Sequence, residues 1–210
     1  MTPPHPPESL PPPLRARLLG PVDLAVGGRA LPREAWPRVD ARALMLLLLL
    51  EPGRRMARDR AVDLLWPERP PDRARTAWYQ ALSTLRRVLE PELPARGISA
   101  YLAVDAAAIA FRGHVPVWTD VDAFETALAG LGDEADAEAR ADLRAALALY
   151  RGDLLAEEPA ADWAIARREG LRLAWQRAAL RLAEIDLRVG EPLAAVPALR
   201  AVLEADPGRE

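Results

Sequence analysis

Residues 72–90 restrict the fold of this chain more than any other segment. Apolar residues recur there every three or four positions, and this period predicts an α-helix with one stripe packed against a core. The core stripe consists of Ala74, Ala77, Trp78, Ala81, Leu82, Leu85, Val88 and Leu89. The opposite stripe is polar and consists of Arg75, Thr76, Tyr79, Gln80, Ser83, Arg86 and Arg87. Such a helix needs packing partners on one side only.

Short alternating runs on either side of this helix predict strands. Residues 15–19 and 22–26 alternate in polarity and end at Gly27-Gly28, which suits the turn into a further strand. Residues 101–104 and 109–112 predict a second hairpin, which closes the N-terminal half of the chain.

Two shorter helices are predicted between the first strands and the helix of residues 72–90. The first begins at an N-cap formed by Asp40 and ends at residues 51–53, where Glu-Pro-Gly stops the helical ladder. The second begins near residue 57 and ends before Trp66-Pro67. Strands, three helices and a closing hairpin, in this order, predict an α+β winged helix-turn-helix domain.

The chain after Trp118 is predicted to be helical. Its longest apolar seam consists of Leu171, Ala174, Trp175, Ala178, Leu182, Ile185 and Val189. The positions that a tetratricopeptide repeat of about 34 residues fixes are occupied, in a unit that starts near Gln176, by Ala183, Gly190, Ala195 and Pro207. We therefore expect a mainly α protein, in which an all-α tetratricopeptide-like domain follows the winged helix.

Composition divides the chain into three parts. Residues 1–13 contain seven prolines and are predicted to be a disordered tail. Residues 14–112 are predicted to form the winged domain, and residues 117–210 the helical domain.

The charges of the two halves differ. Residues 1–112 hold 17 arginines against 12 acidic residues, whereas residues 113–210 hold 11 arginines against 19 acidic residues. Because a basic surface attracts phosphates and an acidic one repels them, nucleic acid is expected at the winged domain.

Neither catalysis nor membrane insertion is supported by the sequence. The chain contains no cysteine, and its two histidines, His5 and His114, stand apart from any other ligand or nucleophile pattern. The longest apolar run, residues 43–50, is far shorter than the roughly 20 residues of a membrane span, and the N-terminus lacks a signal-peptide pattern. We expect a cytoplasmic protein that is not an enzyme, does not contact a membrane, and binds no cofactor or metal.

Six stretches of the chain follow a family pattern in a fixed order, namely residues 17–22, 51–55, 64–67, 81–89, 119–125, and 149–155 with 162–164. Together they resemble the SARP-type antibiotic regulatory proteins, in which an OmpR-type winged helix precedes a bacterial transcriptional activator domain. The resemblance covers about residues 14–208. Activator domains of this family continue with further helix pairs, so the resemblance implies that the helical domain is truncated, unless a dimer contact covers its last helix.

The resemblance implies a transcriptional activator that binds double-stranded DNA at promoter direct repeats as a homodimer and contacts RNA polymerase through its helical domain. A helix with a polar stripe can lie in a major groove, which agrees with this function. By position, the implied base-reading residues are Arg75, Thr76, Tyr79, Gln80, Ser83 and Thr84. The implied phosphate-binding residues are Arg86 and Arg87, together with Arg54 and Arg55 from the turn after the first helix.

The chain also departs from the family pattern. Family members commonly carry an Asn pair where Thr76-Ala77 stands, Leu at the position of Trp78, and Arg at the position of Thr84. The predicted wing tip, residues 104–108, lacks the Gly and Arg that suit a minor-groove contact. The competing hypothesis is therefore a protein-protein interaction adaptor whose winged helix has lost DNA binding, and an unidentified small ligand in the helical domain is a third possibility.

Overall fold

The computed structural model describes residues 10–94, 96–131, 137–158 and 161–205. The chain divides into two compact units. The winged unit contains the described residues of Met1–Ala16 and Asp23–Trp118, and the helical unit contains those of Arg17–Val22 and Thr119–Glu210. Most of the predicted tail of residues 1–13 lies outside the described residues. Its last two residues carry contacts, because the Pro12 carbonyl accepts a hydrogen bond from the Tyr101 hydroxyl and the Pro13 carbonyl accepts one from the Gly27 amide.

The described residues form seven strands: β1 Leu14–Arg17, β2 Asp23–Val26, β3 Arg29–Ala30, β4 Arg55–Ala57, β5 Leu102–Val104, β6 Ala108–Phe111 and β7 Val117–Thr119. They make one sheet of order β3-β2-β1-β7 and a second, antiparallel sheet of order β4-β6-β5. Gly27 and Gly28 have positive φ angles of +56° and +83°, as a tight turn between β2 and β3 requires. The predicted hairpins are confirmed.

Three helices complete the winged unit: α1 Val39–Leu50, α2 Arg58–Leu65 and α3 Pro71–Leu89. All eight residues of the predicted core stripe of α3 are buried. The prediction that Asp40 caps α1 was wrong, because the N-cap residue is Arg38 and no side chain makes a capping hydrogen bond there. Asp40 lies in the first helical turn, where its carboxylate accepts a hydrogen bond from Trp66 Nε1 at 3.1 Å.

The helical unit consists of α4 Asp120–Ala129, α5 Ala137–Leu149, α6 Ile165–Arg188 and α7 Pro192–Ala205. Gly190, with a φ of +79°, makes the turn between α6 and α7, as the repeat pattern predicted. Ala183 and Ala195 are both buried and allow these two helices to approach closely. Val189 was wrongly placed on the buried seam, because α6 ends at Arg188 and half of the Val189 side chain is exposed. Pro207 lies outside the described residues.

Residues 17–22, although close in sequence to the strands, belong to the helical unit. The buried carboxylate of Asp120 accepts hydrogen bonds from the amides of Leu18, at 2.7 Å, and Leu19, at 3.1 Å. The Gly20 amide donates to the Asp153 carbonyl at 3.0 Å. None of the helices in the described part of the chain is long and apolar enough to cross a membrane.

Candidate nucleic-acid interface

The polar stripe of α3 forms an exposed surface of the winged unit. Arg75, Thr76, Tyr79, Gln80, Ser83 and Arg87 are exposed there, and Arg86 is half-buried. Thr84 differs from the prediction, since only 2% of the residue is exposed. It lies three residues after Ala81 and four before Val88, which are both in the core stripe, and the helical period therefore turns its side chain inward. Thr84 is not available to contact a base in this structure.

Trp78 and Tyr79 lie on opposite sides of α3. Trp78 is 1% exposed and packs in the core, as its stripe predicted, so its indole ring is not available for stacking on a base. Tyr79 is 57% exposed, and the Arg58 guanidinium lies 5.7 Å from the centroid of its ring. This cation–π contact limits the positions that the Tyr79 ring can take on the surface.

The C-terminal end of α3 is held by a residue that sequence reasoning missed. Arg29 Nη2 donates to the carbonyl of Val88 at 2.8 Å and to that of Leu89 at 3.1 Å, two of the carbonyls that a helix leaves unpaired at its end. A cation at this end of a helix is also favoured by the helix dipole. No local pattern could have identified Arg29, since the helix end that it contacts is 59 residues further along the chain.

Two concave surfaces flank the exposed line of Tyr79, Ser83 and Arg87. One, of about 600 Å³, extends toward β5 and is lined by Tyr79, Leu82, Ser83, Arg86, Arg87, Leu93, Pro94, Gly97 and Val104. The other, of about 410 Å³, extends toward the beginning of α1 and is lined by Arg38, Thr76, Tyr79, Gln80, Ser83, Thr84 and Arg87. The α3 surface is therefore a ridge between two depressions, both of which contain arginine.

The arginines of the winged unit differ in their partners. Arg75 pairs with Asp72 at 3.1 Å, and Arg55 lies 4.0 Å from Asp105, with both side chains largely exposed. Arg38, Arg86 and Arg87 have no ion pair with a carboxylate among the residues that the structure describes, and Nε of both Arg38 and Arg86 is buried without a hydrogen bond. An incoming anion can therefore meet these three cations without displacing a carboxylate.

Arg54 and Arg55 lie at the turn that leads from α1 into β4, as predicted. Arg54 is half-buried with a φ of +54°, and Arg55 is exposed in the first position of β4. The contact with Asp105 reduces the positive charge that Arg55 offers to a phosphate.

The turn between β5 and β6 carries a negative charge. Asp105 Oδ1 accepts hydrogen bonds from the amides of Ala107 and Ala108, each at 2.7 Å. These hydrogen bonds, and more weakly the nearby Arg55, lower the pKa of Asp105 below its ordinary value. Asp105 is therefore ionised at neutral pH, and it opposes the approach of a phosphate to this turn.

Both halves of the chain match known proteins. Residues 119–210 match the family described as bacterial transcriptional activator domain. Over 205 residues the chain is 33% identical to Regulatory protein AfsR of Streptomyces coelicolor, in an alignment that spans 94% of this chain and 19% of that protein. Its fold is similar to that of Mycobacterium tuberculosis EmbR, solved in complex with a low-affinity phosphopeptide, with a TM-score of 0.67 and 25% identity. That alignment spans 94% of this chain and 52% of the EmbR chain.

Proposed function

We propose that the protein regulates transcription by binding specific DNA sequences, because residues 119–210 match the bacterial transcriptional activator domain family and follow a winged helix, as in SARP-type regulators. The observation that carries the proposal is the α3 ridge, where polar side chains lie beside Arg86 and Arg87, which have no carboxylate partner among the described residues. We place the protein in the cytoplasm and assign it no catalytic role.

In this proposal α3 lies in a major groove of double-stranded DNA. Side chains that read base edges in that groove carry amide, hydroxyl or guanidinium groups, as the exposed face of α3 does. The proposed base-reading residues are Arg75, Thr76, Tyr79, Gln80 and Ser83, and Thr84 is removed from the set because it is buried. Arg86 and Arg87 bind phosphates and fix the position of the helix without reading sequence, with Arg54 and Arg55 as further contacts.

The helical unit has a different role in the proposal. Because its part of the chain holds 19 acidic residues against 11 arginines, it repels DNA and is suited to protein contacts. We propose that it supports a homodimer and contacts RNA polymerase, so that the protein activates transcription from direct repeats.

The test measures fluorescence anisotropy of labelled promoter DNA from the protein's own locus, and of a scrambled duplex, at two salt concentrations. The double variant Arg86→Ala with Arg87→Ala is expected to bind about 100-fold more weakly, since each lost charge-assisted contact costs about tenfold. Arg177→Ala with Arg200→Ala is the matched control, because it removes two exposed arginines from the helical unit.

Selective binding that weakens steeply with salt, and that the control retains, supports the regulator. Absence of selectivity in the unmodified protein at low salt overturns the proposal. That second result favours the interaction adaptor, which the negative wing turn and the buried Thr84 already make the main alternative.

A further inference from the structure

The side chain of Arg38 lies beside α3, although the residue is far from α3 in sequence. Arg38 is the N-cap residue of α1, in an extended backbone conformation with φ −131° and ψ 122°. Its half-buried side chain lines the depression of about 410 Å³ whose opposite wall is formed by Thr76, Gln80 and Arg87 of α3. Two guanidinium groups thus line one depression together with neutral polar side chains.

This set of groups carries positive charge that the protein itself does not neutralise. Neither Arg38 nor Arg87 has an ion pair with a carboxylate among the described residues. Because Nε of Arg38 is buried, the outer nitrogens of its guanidinium group are the donors that a ligand in the depression can reach. Guanidinium groups match the geometry of phosphate oxygens, and Gln80 and Thr76 supply further polar atoms at the rim.

The other side of the α3 ridge, toward β5, differs in its charge. There the turn between β5 and β6 presents the ionised Asp105, held by the amides of Ala107 and Ala108. The depression on this side also contains Arg86 and Arg87, and Asp105 itself lies 4.0 Å from Arg55. A DNA backbone that follows the ridge therefore meets a carboxylate as well as arginines on the side of the β5–β6 turn, whereas the arginines on the side of α1 have no carboxylate partner among the described residues. The charge distribution favours the α1 side as the place where the backbone is held.

We propose that Arg38 and Arg87 together bind one DNA phosphate on the α1 side of α3, and that this site, rather than the β5–β6 turn, anchors the backbone beside the recognition helix. The inference rests on the proposed function, because it names where the same ridge grips its DNA. It adds a residue, Arg38, that no motif in the sequence assigned to binding.

The experiment uses the full chain and a double-mutant cycle of Arg38→Gln, Arg87→Gln and both together. Affinity is measured on promoter and scrambled duplexes over a series of salt concentrations. Arg38→Gln is expected to weaken binding to both duplexes about tenfold, to leave their affinity ratio unchanged, and to reduce the salt slope by about one. Because one phosphate is shared, the double variant is expected to lose less than the product of the two single losses.

Arg15→Gln is the matched control, since it removes one arginine from the same unit, on β1, where the guanidinium lies 4.6 Å from the centroid of the Trp118 ring. Thermal melting establishes that each variant folds. Arg38→Met, which retains the apolar part of the side chain, replaces Arg38→Gln if the latter loses its melting transition.

A second readout locates the phosphate. DNA duplexes that carry a single neutral methylphosphonate are scanned along the site, and one position is expected to weaken binding of the unmodified protein while leaving binding of Arg38→Gln unchanged. If the unmodified protein binds its promoter and Arg38→Gln binds like Arg15→Gln, the Arg38 site is overturned and the DNA-binding function stands. If the unmodified protein binds no duplex, the proposed function fails, and this site with it.

Discussion

The two units use arginine in different ways. Arginine supplies every basic side chain of this protein other than histidine. In the helical unit, Arg140 and Arg144 both donate to Asp186, at 2.5 and 3.0 Å, and Arg140 also pairs with Glu191. Further arginines of that unit pair with Glu125 and Glu169. In the winged unit, by contrast, the arginines that line the two depressions beside the α3 ridge, Arg38, Arg86 and Arg87, have no carboxylate partner in the part of the chain that is described.

The contrast separates arginine that holds a fold together from arginine that is available to a ligand. Asp186 is completely buried, and its charge is tolerated because two guanidinium groups meet it. Arg86 and Arg87 have no carboxylate partner among the described residues, so their removal should cost the winged unit little stability. The same side chain is therefore structural in one unit and a candidate binding group in the other, and its partners decide which.

Removing Asp186 is expected to have the largest effect on stability. Asp186→Ala leaves two arginines without their shared carboxylate between α5 and α6, which should destabilise the helical unit by about 3 kcal/mol. Urea unfolding followed by circular dichroism measures the change. Glu184→Ala is the control, because Glu184 is exposed and lies 4.0 Å from Arg188, and it should cost less than about 1 kcal/mol. Equal losses in the two variants would show that the buried Asp186 contributes no more to stability than an exposed ion pair.

Arg29 sharpens the comparison, since it is an arginine of the winged unit that contacts the end of a helix instead of a carboxylate. Arg29→Gln loses two hydrogen bonds and a favourable charge at the C-terminal end of α3, and it should destabilise the winged unit by about 1 kcal/mol. Arg87→Gln should leave stability unchanged. Thermal melting of the two variants, compared with the unmodified protein, tests this, and a larger loss in Arg87→Gln would contradict it.

Lowering the pH should reduce stability by a smaller amount, through the ion pair between Arg140 and Glu191. The hydrogen bond and charge of Arg140 lower the pKa of Glu191, so its ionised form is favoured in the folded state. This contribution is present at pH values above the ordinary glutamate pKa, and it is lost as the pH falls through the lowered pKa of the folded state.

Glu191→Gln is therefore expected to flatten the loss of stability on going from neutral to acid pH. Urea unfolding at a series of pH values measures it. Asp105 also has a lowered pKa, so Asp105→Asn is measured in parallel to identify the part of the acid response that comes from the winged unit. An unchanged acid profile in Glu191→Gln would show that the ion pair contributes nothing.

Much of the fold could be predicted because it depends on local periodicity. The eight core residues of α3 and the two hairpins follow from spacing alone, and Gly190 marks the α6–α7 turn. Errors occurred where an element ended. The residue pattern predicts Asp40 as the N-cap, whereas α1 begins at Val39, and it predicts Val189 as a core residue, whereas α6 ends at Arg188. The type of a single residue is a weak signal for the position at which a helix begins or ends.

The candidate site was predictable to the extent that it lies on one helix. The exposure of Arg75, Thr76, Tyr79, Gln80 and Ser83 follows from the same period that buries the core stripe. Thr84 was named by its place in a family pattern, whereas the period of α3 places it inside. Arg29 and Arg38 were missed because each reaches α3 from an element far away in the sequence.

By itself, the sequence determined the elements, their order and the faces that they bury, since these depend on the spacing of apolar residues along short segments. It also determined that the N-terminal half is basic and the C-terminal half acidic. Tertiary structure alone decided which arginines meet a carboxylate from a distant segment of the chain. Asp186 meets Arg140 across 46 residues and Arg144 across 42 residues. Arg38 and Arg87, by contrast, line the same depression without a carboxylate partner among the described residues. The pairing of a charge depends on distances between separate segments, and only the packed chain sets those distances.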